Sequence, residues 1–377
     1  MKTIRFFFIL IAFLPLPVLA KSALCSPAHV NQRLVVAYLG ADQAWQLTAA
    51  QQQQLKTALQ HVTVVNYAFI RVVNNRLNFT ATDIANIKII QQISPKTPII
   101  ISIGGWGGRD DFNFMYDSTS RSTFINSVKF ALKKYKIAGV DVDWENEQLA
   151  PTFAANDLVS LLSELRQQLP KNTCITNAVP GSPIYWSQYP AASLWQANVN
   201  WTTLMSYDDY GTFGPSAELA APLYKDPSYV QQMGYPYPVT SGNRAVQYYQ
   251  QQGLPSRKIV LGIPFYCHSY YLTRGLGLHD VVLDANINSQ VDYSVAYKKY
   301  KRRLFQYHVG KTSYGLIDLP DTNVVRFLSC DSPESIYQKM DYVSKKKLGG
   351  VSFWSLLQDL PYHAPDSLLK AINKGEK

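Results

Sequence analysis

Eight short apolar segments, rich in β-branched residues, alternate with helical patterns along most of this 377-residue chain. Near-continuous apolar strands are typical of parallel sheets whose two faces are both covered. Eight strand–helix units favour an α/β fold in which the strands close into a (β/α)8 TIM barrel, rather than an open doubly wound sheet. The predicted strands cover 33–40, 62–70, 98–105, 137–145, 174–181, 200–207, 258–266 and 349–356. Helical patterns cover 48–60, 120–135, 156–169, 242–253 and 332–347.

One interval between strands is much longer than the others. About 80 residues separate the seventh strand from the eighth, where a strand–helix–strand unit needs roughly 30. We predict that residues 268–329 form a small α+β subdomain inserted between strand 7 and helix 7. Its one clear helical pattern covers 293–308. The rest of 21–377 is predicted to be a single barrel domain, because no linker or repeat marks a further module.

The first 20 residues have the pattern of a secretory signal peptide. Lys2 and Arg5 precede an apolar run, and residues 18–20 place small side chains at the −3 and −1 cleavage positions. Pro15 and Pro17 interrupt a run that is too short to span a membrane. We therefore predict cleavage near Ala20 and a secreted protein, extracellular or periplasmic, with no membrane segment.

Composition and charge exclude several classes of function. Apolar residues make up 47% of the chain, which fits a sizeable core, and the net charge is +10. The basic runs at 298–303 and 345–347 are interpreted as solvated helix faces, so we predict no nucleic-acid partner. The six histidines form no ligand cluster, and no cofactor or metal is predicted. Three pairings are possible among the four cysteines, which are Cys25, Cys174, Cys267 and Cys330.

The fourth predicted strand carries three acids at alternate positions. Asp141, Asp143 and Glu145 share one face, while the apolar residues between them take the other. The helix layer of a barrel needs apolar residues, so the acids are predicted to face the barrel axis and to rise toward its C-terminal mouth. Three carboxylates at close range hold a proton near neutral pH, which keeps a proton donor available. A buried ion-pair network is the less favoured interpretation, because no basic residue lies among them.

The segment "IAGVDVDWE" resembles the DxxDxDxE motif of family 18 glycoside hydrolases, the chitinases and their relatives, with Asp141, Asp143 and Glu145 as its DxDxE core. The resemblance extends over essentially the whole mature chain. Further segments similar to motifs of that family are "SIGGW" (102–106), "MSYDDYG" (205–211), "GIPFY" (262–266), "FLSCDSPESI" (327–336) and "GGVSFWSLLQD" (349–359).

The resemblance implies a retaining, substrate-assisted mechanism, an exception to the scheme of two enzyme carboxylates. Glu145 would protonate the glycosidic oxygen and later activate water, while the 2-acetamido oxygen of the sugar attacks the anomeric carbon. Asp143 would orient the acetamido N–H, and Asp141 would share a proton with Asp143. Tyr207 would donate a hydrogen bond to the acetamido oxygen, and Asp208 would bind the sugar. The substrate must then carry an N-acetyl group at C2.

The remaining candidate residues would bind substrate or support the acids. Trp354 would stack under the sugar at the −1 subsite, and Ser102 would hydrogen-bond the deep acids. Gly104 and Gly105 would allow strand three to pass close to the catalytic strand. The remaining candidates, for the pocket wall and an elongated cleft, are Tyr38, Met205, Trp106, Tyr185, Trp186, Tyr210 and Phe213.

The chain departs from the family pattern at three places. Ala138 stands where DxxDxDxE has its first Asp, and residues 146–147 are Asn-Glu where Tyr-Pro is usual. In the seventh strand, 266–268 read Tyr-Cys-His in place of Tyr-Gly-Arg. Because Cys267 and Cys330 flank the predicted insertion, we also predict a disulfide that clamps its base.

The function that the sequence favours is a secreted, monomeric chitinase that cleaves β-1,4 bonds between N-acetylglucosamine units. An endo-β-N-acetylglucosaminidase acting on N-glycans or peptidoglycan is the alternative enzyme. A non-catalytic chitin-binding lectin on the same fold is less favoured, because such relatives usually lack the acid that is present here as Glu145. In each case the partner would be chitin or another glycan that contains N-acetylglucosamine.

Overall fold

The computed structural model describes residues 24–25, 33–40, 45–145, 155–208, 212, 214–226 and 240–375. In chain order, the strands are β1 (Leu34–Gly40), β2 (Val64–Ala68), β3 (Arg71–Val73), β4 (Arg76–Asn78), β5 (Ile99–Gly104), β6 (Gly139–Asp143), β7 (Cys174–Pro180), β8 (Trp201–Met205), β9 (Ile259–Pro264), β10 (Tyr266–Thr273), β11 (Ser289–Asp292), β12 (Tyr307–Val309), β13 (Thr312–Asp318), β14 (Val324–Cys330) and β15 (Gly350–Trp354). The α-helices are α1 (Ala49–Leu59), α2 (Ala81–Ile93), α3 (Ser118–Tyr135), α4 (Ala155–Gln168), α5 (Gly242–Gln251), α6 (Tyr293–Tyr300), α7 (Pro333–Lys345) and α8 (Leu368–Lys374).

Eight parallel strands close into a barrel in the order β1-β15-β9-β8-β7-β6-β5-β2. Every predicted strand corresponds to one strand of this barrel, so the predicted (β/α)8 TIM barrel is confirmed. In the register of β5 and β6, Ser102 lies opposite Asp141 and Gly104 lies opposite Asp143. The acidic face of β6 is therefore set against the strand that carries the predicted serine and glycine.

The helices around the barrel begin at side chains that cap their first free N–H groups. Thr48, Thr80 and Ser332 form capping boxes at α1, α2 and α7. The outward residues of β6, such as Val142, share one buried hydrophobic cluster with Leu161 of α4. This packing fixes the opposite face of β6, with its acids, toward the barrel axis.

The regular alternation of strand and helix is interrupted between β7 and β8. The chain there forms two 3-10 turns, Pro183–Gln188 and Ala192–Leu194, and no α-helix among residues 181–200. Pro183 opens the first turn and cannot donate a backbone hydrogen bond. This connection brings the side chains of Ser182, Tyr185 and Tyr189 to the mouth of the barrel.

A second, antiparallel sheet lies between β9 and α7, in the order β11-β10-β14-β13-β12. It occupies the segment predicted as an insertion and packs beside helix α6. The predicted helix over 293–308 is wrong in its second half, because α6 ends at Tyr300 and Lys301 takes a φ of 49°. Residues beyond a 3-10 turn instead pair with β13, where the rings of Tyr307 and Tyr314 stack with centroids 4.9 Å apart.

Two disulfides link distant parts of the chain. Cys267 pairs with Cys330, which confirms the predicted clamp at the base of the inserted sheet. Cys25 pairs with Cys174 at the start of β7, a pairing that the sequence left open. Such links stabilise a fold mainly by restricting the unfolded chain.

The predicted signal peptide lies outside the described residues, as does the Asn-Glu pair at 146–147. Within the described part of the chain, none of the helices combines the length and apolar character needed to span a bilayer.

Candidate active site

Asp141 lies at the centre of the barrel, fully buried, and accepts three hydrogen bonds from hydroxyl groups. The donors are Tyr38 Oη at 2.9 Å, Ser102 Oγ at 2.8 Å and Thr176 Oγ1 at 2.5 Å. Burial raises the pKa of Asp141, and these hydroxyls partly offset that rise. The predicted contact of Ser102 with a deep acid is confirmed. Thr176 was missed, although its position on a barrel strand, two residues after Cys174, marks it as inward-facing.

Asp143 is one step nearer the mouth and only 4% exposed. Its Oδ1 atom is buried without a hydrogen-bond partner among the described residues. Burial first, and then repulsion from Glu145 and Asp141, raise the pKa of Asp143 well above its usual value. Within the described part of the chain, neither Asp141 nor Asp143 forms a salt bridge. The pair therefore retains a proton at pH values where an exposed aspartic acid is ionised.

Glu145 follows the end of β6 by two residues and lines the same cavity as Asp143. The carbonyl of the preceding residue, Trp144, accepts a hydrogen bond from Tyr189 Oη. The rings of Trp144 and Tyr189 also contact each other, with centroids 5.1 Å apart. Tyr189, which sequence reasoning missed, thus holds the backbone that positions Glu145.

The end of β5 passes close to the backbone of β6, as predicted from its two glycines. A Cβ atom on Gly104, whose φ is +95°, would lie 2.3 Å from the carbonyl oxygen of Asp143. The Gly105 N–H donates to that same oxygen at 2.8 Å. A Cβ on Gly105 would lie 2.2 Å from the ring of Phe69. These glycines therefore fix the height of Asp143 in the barrel.

Trp354 ends β15 and forms an aromatic wall of the cavity. Its ring stacks on Phe69 with a centroid distance of 5.3 Å, and it contacts Tyr38 at 5.8 Å. Tyr38 is itself 2% exposed, so it supports Trp354 and Asp141 from behind the wall. Phe69 was not predicted, although it directly follows the second strand at the same end of the barrel.

Tyr207 and Asp208 follow β8 and line the cavity opposite the acids. Burial, together with the charges of Asp143 and Asp208, raises the pKa of Tyr207 well above its usual value, so its hydroxyl keeps its proton. The Asp208 carboxylate accepts hydrogen bonds from Tyr266 Oη at 2.6 Å and Gln290 Nε2 at 3.2 Å. Its other oxygen lies 2.5 Å from His268 Nε2.

These residues surround a cavity of about 430 Å³ at the C-terminal mouth of the barrel. Its lining comprises Phe69, Trp106, Asp143, Glu145, Pro180, Gly181, Ser182, Tyr185, Tyr189, Met205, Tyr207, Asp208, Thr212, Tyr266, Gln290 and Trp354. Trp106 is 62% exposed at its rim, as a loop aromatic that contacts a long ligand would be. The predicted candidates that line this cavity are Asp143, Glu145, Tyr207, Asp208, Trp354, Met205, Trp106 and Tyr185.

Some predicted residues lie elsewhere. Trp186 does not line this cavity, and its ring stacks on Tyr248 with centroids 3.8 Å apart. Ser102, Gly104 and Gly105 are not among the residues that line the cavity. Tyr210 and Phe213 lie outside the described residues.

A second cavity, of about 930 Å³, lies at the opposite end of the barrel between α3 and α4. Three lysines and Ala138 line it, and it contains no acid. Although it is larger, it lacks the convergent titratable groups that mark the mouth as the reactive site. Among the described residues, no group of three His, Cys, Asp or Glu side chains is arranged to hold a metal ion.

Comparison with known proteins places these observations in a family. The model of "Glycosyl hydrolases family 18" matches residues 35–359. "Endochitinase 1" of Metarhizium robertsii is 27% identical over 298 residues, which cover 76% of this chain and 67% of that protein. "Chitinase A1" of Niallia circulans is 29% identical over 307 residues, 74% of this chain and 43% of that protein. The chain therefore spans less than half of that relative.

A solved structure with the same fold is the Group IV chitinase of Ostrinia furnacalis. Its TM-score is 0.77 at 21% identity, and the match covers 91% of this chain and 99% of the other. At this identity the match shows the barrel fold alone.

Proposed function

The chain belongs to glycosyl hydrolases family 18, and from that premise we propose that it is a chitinase that hydrolyses β-1,4 linkages between N-acetylglucosamine units. One observation supports this most directly. The buried Oδ1 of Asp143 has no hydrogen-bond partner within the described part of the chain, and it lies in the same cavity as Glu145 and Trp354. An acetamido N–H is a suitable donor for that oxygen, and a pyranose ring is a suitable partner for the tryptophan face.

In the proposed first step, Glu145 donates a proton to the glycosidic oxygen as the bond from that oxygen to the anomeric carbon breaks. The carbonyl oxygen of the 2-acetamido group forms a new bond to the anomeric carbon, which gives an oxazolinium ion. Asp143 accepts the acetamido N–H and stabilises the positive charge. The Tyr207 hydroxyl donates to the acetamido oxygen. No enzyme carboxylate forms a bond to the sugar.

In the second step, Glu145 takes a proton from water as that water attacks the anomeric carbon. The bond to the acetamido oxygen breaks, and the product keeps the original β configuration. Asp141 supports both steps by sharing a proton with Asp143, so that Asp143 gains negative charge as the oxazolinium ion forms. The raised pKa values of Asp141 and Asp143 support this assignment.

The proposal includes export from the cell after cleavage near Ala20. Two disulfides among the four cysteines are consistent with folding in an oxidising compartment. Mass spectrometry of the mature N-terminus of the protein purified from its native host would test it. A mature chain that still begins at Met1 would overturn this part of the proposal.

The deciding experiment measures hydrolysis of the N-acetylglucosamine tetramer by wild type and by Glu145→Gln, with product anomers followed by NMR. We expect initial release of the β-anomer by wild type and a loss of about a thousandfold in kcat for the variant. Glu334→Gln makes the same chemical change at an exposed position of α7 and should retain full activity.

Other outcomes would redirect the assignment. Initial release of the α-anomer would exclude the substrate-assisted mechanism. A folded wild type that binds chitin without cleaving the tetramer would be a lectin. Absence of both binding and cleavage would direct attention to N-glycans and peptidoglycan as substrates.

A further inference from the structure

Asp208 belongs to the barrel, but the hydrogen bonds to its carboxylate come from the inserted sheet. Tyr266 and His268 lie on β10, and Gln290 lies on β11 directly opposite His268. Asp208 itself follows β8, with a φ of 58° and a backbone N–H that donates to Ala220 at 3.1 Å. Its backbone is therefore held by the loop, while its side chain is held by the insertion.

His268 is the most deeply buried of these three donors. It is 0% exposed, whereas the Asp208 side chain is 36% exposed toward the cavity. Its Nε2 atom lies 2.5 Å from Asp208 Oδ1, and its Nδ1 atom lies 3.1 Å from Tyr270 Oη. In the sheet His268 is central, paired with Gln290 on one side and Ser329 on the other.

This geometry fixes the tautomer of the ring. A carboxylate only accepts hydrogen bonds, so Nε2 must carry the hydrogen that points to Asp208. In that tautomer Nδ1 accepts a hydrogen bond from the Tyr270 hydroxyl. The polar groups that face the ring from its own and neighbouring elements are Asp208, Tyr266, Tyr270, Gln290 and Ser329.

We infer that His268 is a positioning residue that holds the Asp208 carboxylate in the orientation required to bind the sugar. The inference deepens the proposed function and rests on it. His268 stands at one of the positions where the sequence departs from the family 18 pattern. Because the ring is buried behind Asp208, it acts through that carboxylate and does not touch the substrate.

The loss of this contact should weaken binding more than it slows the chemistry. Asp208 is proposed to contact the sugar equally in the bound substrate and in the transition state. Misplacing its carboxylate therefore weakens both states alike, which raises KM and leaves kcat nearly unchanged. The backbone of Asp208 keeps its bond to Ala220, and the Cys267–Cys330 disulfide keeps β10 and β14 together. The fold should therefore survive the change.

Two amide variants separate positioning from packing. The side-chain NH₂ of Gln reaches the position of Nε2, and that of Asn reaches the position of Nδ1. His268→Gln can therefore still donate to Asp208, while His268→Asn cannot. We expect His268→Gln to keep the KM for the tetramer within about threefold, and His268→Asn to raise it about tenfold or more with kcat within about threefold, the scale of one lost hydrogen bond to a charged group.

Calorimetric titration with the same tetramer measures Kd without turnover when each variant also carries Glu145→Gln. We expect these Kd values to rank the variants of His268 as their KM values do. His308→Gln and His308→Asn make matched changes on β12, at an exposed histidine, and should leave both KM and Kd unaltered. Thermal unfolding of each variant checks that the sheet is intact.

Equal KM and Kd values for the Gln and Asn variants of His268 would overturn the inference. A wild type that binds the tetramer without cleaving it would refute the proposed hydrolysis, while the Kd series would still decide the role of His268. Absence of tetramer binding by every protein in the series would overturn both.

Discussion

Two regions of the molecule bury carboxylates, and they differ in whether a cation lies beside the acid. On β6, Asp141 and Asp143 are buried with hydroxyl donors or an empty hydrogen-bonding position, and neither has a cation within salt-bridge distance among the described residues. Beside the inserted sheet, Glu218 and Asp226 of the connection between β8 and α5 lie 2.8 and 2.9 Å from the two nitrogens of His279, which belongs to the insertion. Likewise, Asp331 at the end of β14 lies 2.5 Å from Lys339 Nζ on α7.

In these two regions, the presence or absence of a neighbouring cation distinguishes the buried acids, since all of them are buried. Without a cation, burial raises the pKa of Asp143 and its proton becomes available for chemistry. With a cation, a buried carboxylate joins two segments as an ion pair that is costly to break. The acids proposed to be reactive therefore lie inside the barrel, whereas the ion-paired acids lie where the inserted sheet meets the rest of the chain.

Asp143→Asn gives the largest expected effect. We expect a loss of about a thousandfold in kcat on the tetramer, because the neutral amide cannot stabilise the positive intermediate. The melting temperature should not fall, since the variant removes a poorly solvated acid. Steady-state kinetics and calorimetry measure the two quantities, and Asp318→Asn, at a 70% exposed side chain, is the control. A variant with a tenth or more of wild-type activity would contradict the role of Asp143.

Lys339→Met breaks an ion pair at the insertion and leaves Asp331 buried and unpaired. We expect the free energy of unfolding to fall by about 4 kcal/mol, with kcat and KM unchanged. Lys345→Met lies on the same helix in an exposed pair with Asp341 and should leave the free energy of unfolding nearly unchanged. Urea unfolding compares the two. Equal losses would show that burial does not distinguish these pairs.

Gly104→Ala tests the close approach of β5 to the catalytic strand. The added Cβ would meet the Asp143 carbonyl oxygen at 2.3 Å, and the φ of +95° is unfavourable for alanine. We expect a loss of about 3 kcal/mol in stability and reduced activity, because the strand that carries Asp143 must shift. Gly107→Ala has a φ of +76° with nothing within 4 Å, so it should show only the conformational cost, about 1 kcal/mol. Thermal melts followed by circular dichroism and tetramer assays compare the two variants. Equal losses of stability and activity would show that the contact between Cβ and the Asp143 carbonyl is not the cause.

His279→Gln gives the smallest effect, and that effect depends on pH. Burial alone would lower the pKa of His279, but hydrogen bonds and charge from Glu218 and Asp226 outweigh it and raise the pKa. A raised histidine pKa adds stability that is fully present below the unfolded value of about 6.5 and is lost as pH rises through the higher folded value. We expect wild type to exceed the variant by about 1 kcal/mol near pH 6, and by less at pH 9.

Urea titrations of both proteins at several pH values measure this difference directly. A gap that stays constant or widens as the pH rises would mean that His279 is not protonated in the folded protein. Either result would mean that Glu218 and Asp226, like the acids of β6, have no cation beside them.

Much of the fold and of the site could be predicted from the sequence. The eight strands were found within a few residues, since apolar runs of that length are a local signal. The alternation of side chains along a strand predicted which face of β6 points inward. The same alternation on β5 placed Ser102 inward, which predicted its contact with the deep acids. The helical pattern at 293–308 was misleading in its second half, because pairing of β12 with β13 prevailed over local periodicity.

The remaining contacts depended on residues that are far apart in the chain. Thr176, Tyr189 and Gln290 carry no motif and became visible only where strands and loops met around Asp141, Trp144 and Asp208. The pairing of Cys25 with Cys174 likewise spans 149 residues. Apart from Cys267 and Cys330, whose positions on either side of the insertion suggested their pairing, no local signal indicated which of these side chains would be neighbours.

The sequence by itself therefore determined where the acids are and which way they face, because side-chain alternation is a property of a single strand. Only the tertiary structure decided which of the buried acids have a cation beside them. Whether a cation lies beside a carboxyl group depends on distances between separate elements. In a medium of low dielectric, the presence of that cation determines whether the carboxyl group keeps its proton.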